Sequence, residues 1–149
     1  MYELTQVSEN SYYIQSPAKI GLVRLNDTDV CLIDSGNDKE AGRKVRQILD
    51  ANGWHLTAIY NTHSNADHIG GMDTVLQNIE VTDGVFFGYL PDKLIPTTKT
   101  YEDLLDVIEQ KNLDLSLLRA GDTLDLGSGA VLSVLGPVTE EIDSKNNGS

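Results

Sequence analysis

The sequence predicts an α+β fold, a mixed β-sheet covered by helices on one face, on three observations. Short runs rich in β-branched and aromatic residues open the chain, two amphipathic helical stripes interrupt them, and Gly-punctuated short strands follow. A single helical layer leaves the opposite face of the sheet to be buried by something else.

The opening runs are YELTQV, SYYIQS, KIGLVRL and DVCLID, separated by Glu9-Asn10, Ser16-Pro17 and Asn26-Asp27-Thr28. Turn residues between β-rich runs predict an antiparallel meander. Residues 37–51 then place Ala41, Val45, Ile48 and Leu49 on one helical stripe. Asn37 with Glu40 suits the start of that helix, and Gly53 suits its end.

HLTAIYNTH reads as the next strand and delivers the chain into NTHSNADHIGG as a loop. Residues 72–78 read as a short helix, Val85, Phe86 and Phe87 as strand, and residues 90–98, with two prolines, as an irregular excursion. Tyr101, Leu104, Leu105 and Ile108 form the second helical stripe, with Thr100 as expected cap and Glu102 and Asp103 in its first turn. Three short strands follow, the last two joined across Gly127-Ser128-Gly129 as a hairpin. The expected domain runs over residues 1–137, and residues 138–149 form a polar tail.

A chain of 149 residues fits one domain or half of a larger pseudo-symmetric one. Its net charge of −12 disfavours a nucleic-acid partner, whose phosphates call for clustered Lys and Arg. Residues 1–71 carry 6 basic and 9 acidic side chains and residues 72–149 carry 5 and 14, so the two halves differ in character. No run approaches the roughly 20 apolar residues of a membrane span, and the start MYELTQVSEN has no basic-then-apolar leader. The expectation is a cytoplasmic protein with no membrane partner. The single cysteine, Cys31, lies in an apolar run and reads as a small buried hydrophobe.

His63, Asp67 and His68 gather two imidazoles and a carboxylate in one loop after a strand. Zinc accepts both donor types, and a catalytic zinc keeps three protein ligands and an open position. The flanking Gly70-Gly71 lets backbone pass close to such a cavity. The bland alternative is that Asp67 only caps a short helix and the histidines are incidental. His55, ahead of the strand, reads as a surface or edge residue.

THSNADHIGG resembles the signature loop of the metallo-β-lactamase superfamily, His-x-His-x-Asp-His followed by Gly-Gly, and VCLIDSG resembles that family's upstream strand ending in Asp-Ser/Thr-Gly. The resemblance implies an αββα sandwich and zinc- or iron-dependent hydrolysis of lactams, thioesters, phosphoesters or lactones. It implies His63 as a ligand of a first metal, Asp67 and His68 as ligands of a second, and Asp34 as a buried support for the loop. Two departures stand out. Asn65 occupies the place of the second histidine, and its carbonyl oxygen is a poor zinc ligand beside imidazole. No histidine follows His68, so the further ligands of the family's second half are not all supplied here.

Residues 72–149 are similar to the metallo-β-lactamase-like domain of ComEC-type competence proteins, whereas residues 1–71 resemble small stand-alone hydrolases of the superfamily. With the charge shift at the same junction, this fits a chimera, engineered or truncated to the N-terminal half of the sandwich. A half-sandwich exposes an apolar sheet face, and a homodimer is the expected way to cover it. Two functions follow: a hydrolase whose zinc, one or two ions, activates water with Asp67 as general base toward a small-molecule substrate, or a catalytically silent half-domain with a remnant site.

Overall fold

The computed structural model describes residues 2–62, 66–88, 98–127 and 129–135, with the side chains of Ala66, Asp67 and Gly127 left outside the description. The predicted excursion at residues 90–98, apart from its last residue, and the polar tail lie outside the described residues.

Strands β1 (Glu3–Gln6), β2 (Ser11–Gln15), β3 (Ile20–Arg24) and β4 (Asp29–Ile33) pair antiparallel in sequence order, which is the expected meander. Strands β5 (His55–Asn61), β6 (Gly84–Gly88) and β7 (Leu115–Leu118) then add in parallel, giving a mixed seven-stranded sheet in the order β1 to β7. Parallel neighbours need crossovers, and helices supply them. These are α1 (Lys39–Asn52) between β4 and β5, α2 (Ala66–Ile69) and α3 (Met72–Asn78) between β5 and β6, and α4 (Lys99–Gln110) between β6 and β7.

All these crossover helices pack on one face. Ala41, Val45 and Leu49 of α1, Met72, Val75 and Leu76 of α3, and Leu104, Val107 and Ile108 of α4 meet alternate strand residues such as Ile14, Leu22, Leu32, Ile59 and Val85. Ile48, Tyr101 and Leu105, placed on the same stripes from sequence, pack against this core while partly buried.

Two helix starts differ from expectation. Asp38, not Asn37, caps α1: its backbone is extended, and its carboxylate accepts the Ala41 N–H at 2.9 Å. A carboxylate is the stronger acceptor and also complements the helix dipole. Thr98, not Thr100, caps α4, with its hydroxyl accepting from Tyr101 N–H at 3.3 Å. Helical backbone begins at Lys99, which leaves Thr100 inside the first turn, and Asp103 pairs with Lys99 at 3.0 Å. Gly53 ends α1 in the left-handed region as predicted, with φ 65°.

The opposite sheet face is covered in part by the chain itself. Strands β8 (Thr123–Gly127) and β9 (Ala130–Ser133) form the predicted hairpin. It lays Leu124, Leu126, Ala130 and Leu132 over a cluster built on Cys31, Ala58, Tyr60 and Leu25. All four of those hairpin side chains stay partly exposed, so this second layer is thin. Cys31 is buried and unpaired there, as its apolar setting predicted. Among the described residues no helix is long and apolar enough to cross a membrane.

Candidate metal centre

The site forms where β4 and β5 end side by side in parallel. Asp34, one residue past β4, has φ 63°, a left-handed conformation that Asp tolerates better than most residues. Its N–H donates to the Tyr60 carbonyl at 2.8 Å, which ties the turn to β5. That turn leaves the Asp34 side chain only 9% exposed, against Thr62 and His68.

Among the described residues, the carboxylate's side-chain and loop partners come from the next segment of the motif. Oδ1 accepts the Thr62 N–H at 2.8 Å, and Oδ2 accepts the Thr62 hydroxyl at 2.6 Å. The same Oδ2 lies 2.6 Å from Nδ1 of His68, which also approaches the Thr62 hydroxyl at 3.2 Å. A carboxylate at Nδ1 holds the ring proton on that nitrogen, leaving Nε2 as the lone-pair donor of the neutral ring.

The helix carrying His68 is fixed from its backbone as well. Ser35, wholly buried, donates both its N–H (2.9 Å) and its hydroxyl (3.0 Å) to the His68 carbonyl. Ile69 is buried in the helix-side core and anchors the far end of α2. Gly71 then allows close passage: a Cβ there would lie 2.3 Å from the Ser35 carbonyl oxygen and 2.8 Å from the Gly42 nitrogen. A side chain at this position cannot be accommodated without moving backbone.

Of the sequence-predicted residues, the structure brings together Asp34 and His68. Asp67 sits one position before His68 in α2, with its side chain outside the description, and His63 and Asn65 lie outside the described residues. Among the described residues no group of three His, Cys, Asp or Glu side chains gathers. His55 is remote, at the start of β5, exposed and 3.2 Å from Asp29, in agreement with its reading as a surface residue. Thr62 and Ser35 are the participants that residue-type reasoning passed over. Their signal was adjacency: each directly follows or precedes a motif residue, Asp34 or His63.

The donor chemistry fits a metal. An imidazole held at Nδ1 by a buried carboxylate is the arrangement that orients a metal-ligating histidine. Asp67, adjacent in sequence, adds a carboxylate of the type zinc accepts.

A sequence profile described as Metallo-beta-lactamase superfamily matches residues 10–86, which contain both motifs. The chain belongs to the metallo-beta-lactamase superfamily. That match ends before most of the stretch likened to ComEC-type domains. A hydroxyacylglutathione hydrolase of Nitrosococcus oceani is 33% identical over 93 residues, covering 62% of this chain and 28% of that protein. The chain therefore spans under a third of that relative's length. A solved metallo-beta-lactamase motif mutant from Cronobacter sakazakii aligns over 84% of this chain and 50% of its own, at 16% identity and a TM-score of 0.57. The fold of this superfamily member thus corresponds to about half of that structure, in line with the half-sandwich expected from sequence.

Proposed function

We propose that this chain carries the first part of a superfamily hydrolase site, in which His63, Asp67 and His68 hold zinc. The observation that carries the reading is the 2.6 Å contact between Asp34 Oδ2 and His68 Nδ1, because a purely structural histidine at a loop mouth needs no buried carboxylate to set its tautomer. Bound zinc supplies Lewis acidity and lowers the pKa of water. The residues of the chain do the positioning. Asp34 and Thr62 fix the His68 ring, Ser35 fixes its backbone, and Asp67 serves as general base toward the attacking water. The substrate class is a small ester, thioester, lactam or phosphoester, and the name of the Nitrosococcus relative supports hydrolysis as the reaction. The setting proposed is cytoplasmic, with a second copy of the chain completing the thin second layer.

A second reading is favoured by Asn65, which stands where the superfamily loop has its second histidine: a silent, composite half-domain that keeps the Asp34–His68 pair without turnover. Hydrolysis of a panel of esters, thioesters and phosphodiesters by metal-loaded protein, with His68→Ala as control, separates the two. Activity lost in the variant supports the hydrolase; equal background rates in both proteins contradict it.

A further inference from the structure

We propose that the cleft between α1 and α3, on the outer surface of the helical layer, binds a small phosphorylated polyol. The two helices touch at backbone distance, since a Cβ on Gly42 would lie 2.5 Å from the Gly71 carbonyl oxygen and 2.8 Å from Cβ of Thr74. This tight crossing opens a cleft of about 590 Å³, within the size range of small-ligand sites.

Its lining inverts the charge of the chain. Lys39, Arg43 and Arg46 face the cleft with one carboxylate, Asp50, in a protein whose net charge is −12. Arg46 is held across it: Nη1 donates to Asn78 Oδ1 at 3.2 Å, and Nε lies 3.6 Å from Asp50. A guanidinium has five N–H donors in a rigid fork, so these contacts preset its plane and still leave donors for a phosphate. Lys39 has no carboxylate within ion-pair distance among the described residues, and Glu40, which pairs with Arg43 and Lys44, does not line the cleft.

The neutral lining residues choose the rest of the ligand. Gln47 and Gln77 offer amides, groups that pair with hydroxyls, while Asn78 is engaged by Arg46 and the Thr74 carbonyl. The lining contains no aromatic or large apolar side chain, so a nucleobase would find nothing to stack on. Three cations and neutral hydrogen-bonding groups lining one cleft match a phosphorylated polyol. The surrounding negative field is screened within about 8 Å at physiological salt, so such a ligand is held by contact.

The test is an amide NMR titration of the full chain with glycerol phosphate, inorganic phosphate and glycerol. Glycerol phosphate is expected to shift α1 and α3 amides and to bind about tenfold more tightly than inorganic phosphate, with glycerol silent. Arg46→Ala, at an exposed position that leaves the spectrum otherwise intact, is expected to weaken binding about tenfold, and Lys99→Ala on α4 to leave it unchanged. Unperturbed α1 and α3 amides, or binding equal in Arg46→Ala, would overturn the site. Inorganic phosphate binding as tightly as glycerol phosphate would overturn the ligand class.

Discussion

The Oδ2 atom of Asp34 and the Nδ1 atom of His68 lie 2.6 Å apart, joining the end of β4 to α2 across the mouth of the motif. Because Thr62 donates twice to the same carboxylate, three segments of the chain meet on one buried side chain. Sharing one buried carboxylate makes Thr62, His68 and their geometry interdependent.

Asp34→Ala should therefore act on metal binding and on folding together. It removes the acceptor for His68 and Thr62 and places Ala at φ 63°. Zinc affinity, measured by chelator competition, is expected to fall about 10- to 100-fold. Denaturant unfolding should show a loss of about 2–4 kcal/mol. Asp34→Asn keeps the shape and tolerates the left-handed backbone, so most of the stability should return while the metal affinity stays low. Unchanged affinity in both variants would remove Asp34 from the site.

Gly71→Ala tests the close passage behind α2. All three of the nearest atoms to an added Cβ are backbone: Ser35 O, Gly42 N and Asp38 O at 2.3, 2.8 and 2.9 Å. A backbone neighbour cannot swing aside, so urea unfolding is expected to show a loss of about 2–4 kcal/mol. Gly88→Ala, where nothing lies within 4 Å, should cost under about 1 kcal/mol. Similar small losses at both positions would contradict the packing.

Much of this was legible in the sequence because periodicity is a local signal. The four-strand meander, both long helices, α3 and the final hairpin follow from alternation, stripes and turn residues. The caps slipped because several nearby residues are of capping type, Asn37 beside Asp38 and Thr100 two places after Thr98, and where helical backbone begins is fixed only in the fold. The hairpin's cover over Tyr60 and Phe86 was not legible, since alternation shows that a strand has an apolar face and not what that face meets. At the site, His68 and Asp34 were readable from motif spacing. Thr62 and Ser35 were not, because their roles arise from parallel pairing of β4 with β5, a long-range fact.

Alkaline pH should weaken the fold through the sheet face under the hairpin. Burial pushes the Cys31 thiol up to about 11, and burial pushes the Tyr60 phenol up to about 12. Both acids are raised in the folded state, so their contribution is complete below the unfolded thiol value, near 8.5, and is lost as pH rises toward 11 and 12. The unfolding free energy from urea titrations is expected to fall between pH 8 and pH 11, by an amount on the order of 2 kcal/mol, and to fall less in Cys31→Ala. An identical pH dependence in the variant would dismiss Cys31 as the cause.

The half-exposed hairpin layer bears on assembly. Val131 is 59% exposed on β9 and Leu135 is 84% exposed just beyond it, beside inward leucines that are themselves only partly covered. Sedimentation is expected to show a dimer, and Val131→Asp, which charges the outward side of the hairpin, to shift it toward monomer. A monodisperse monomer for the unaltered chain would contradict the second copy.

The most direct test of the central claim is metal content per chain after purification without chelator, compared with His68→Ala. The account predicts close to one zinc per chain, lost in the variant while its far-ultraviolet circular dichroism is kept. No bound metal in the unaltered protein after zinc loading, or equal metal in both proteins, would contradict it.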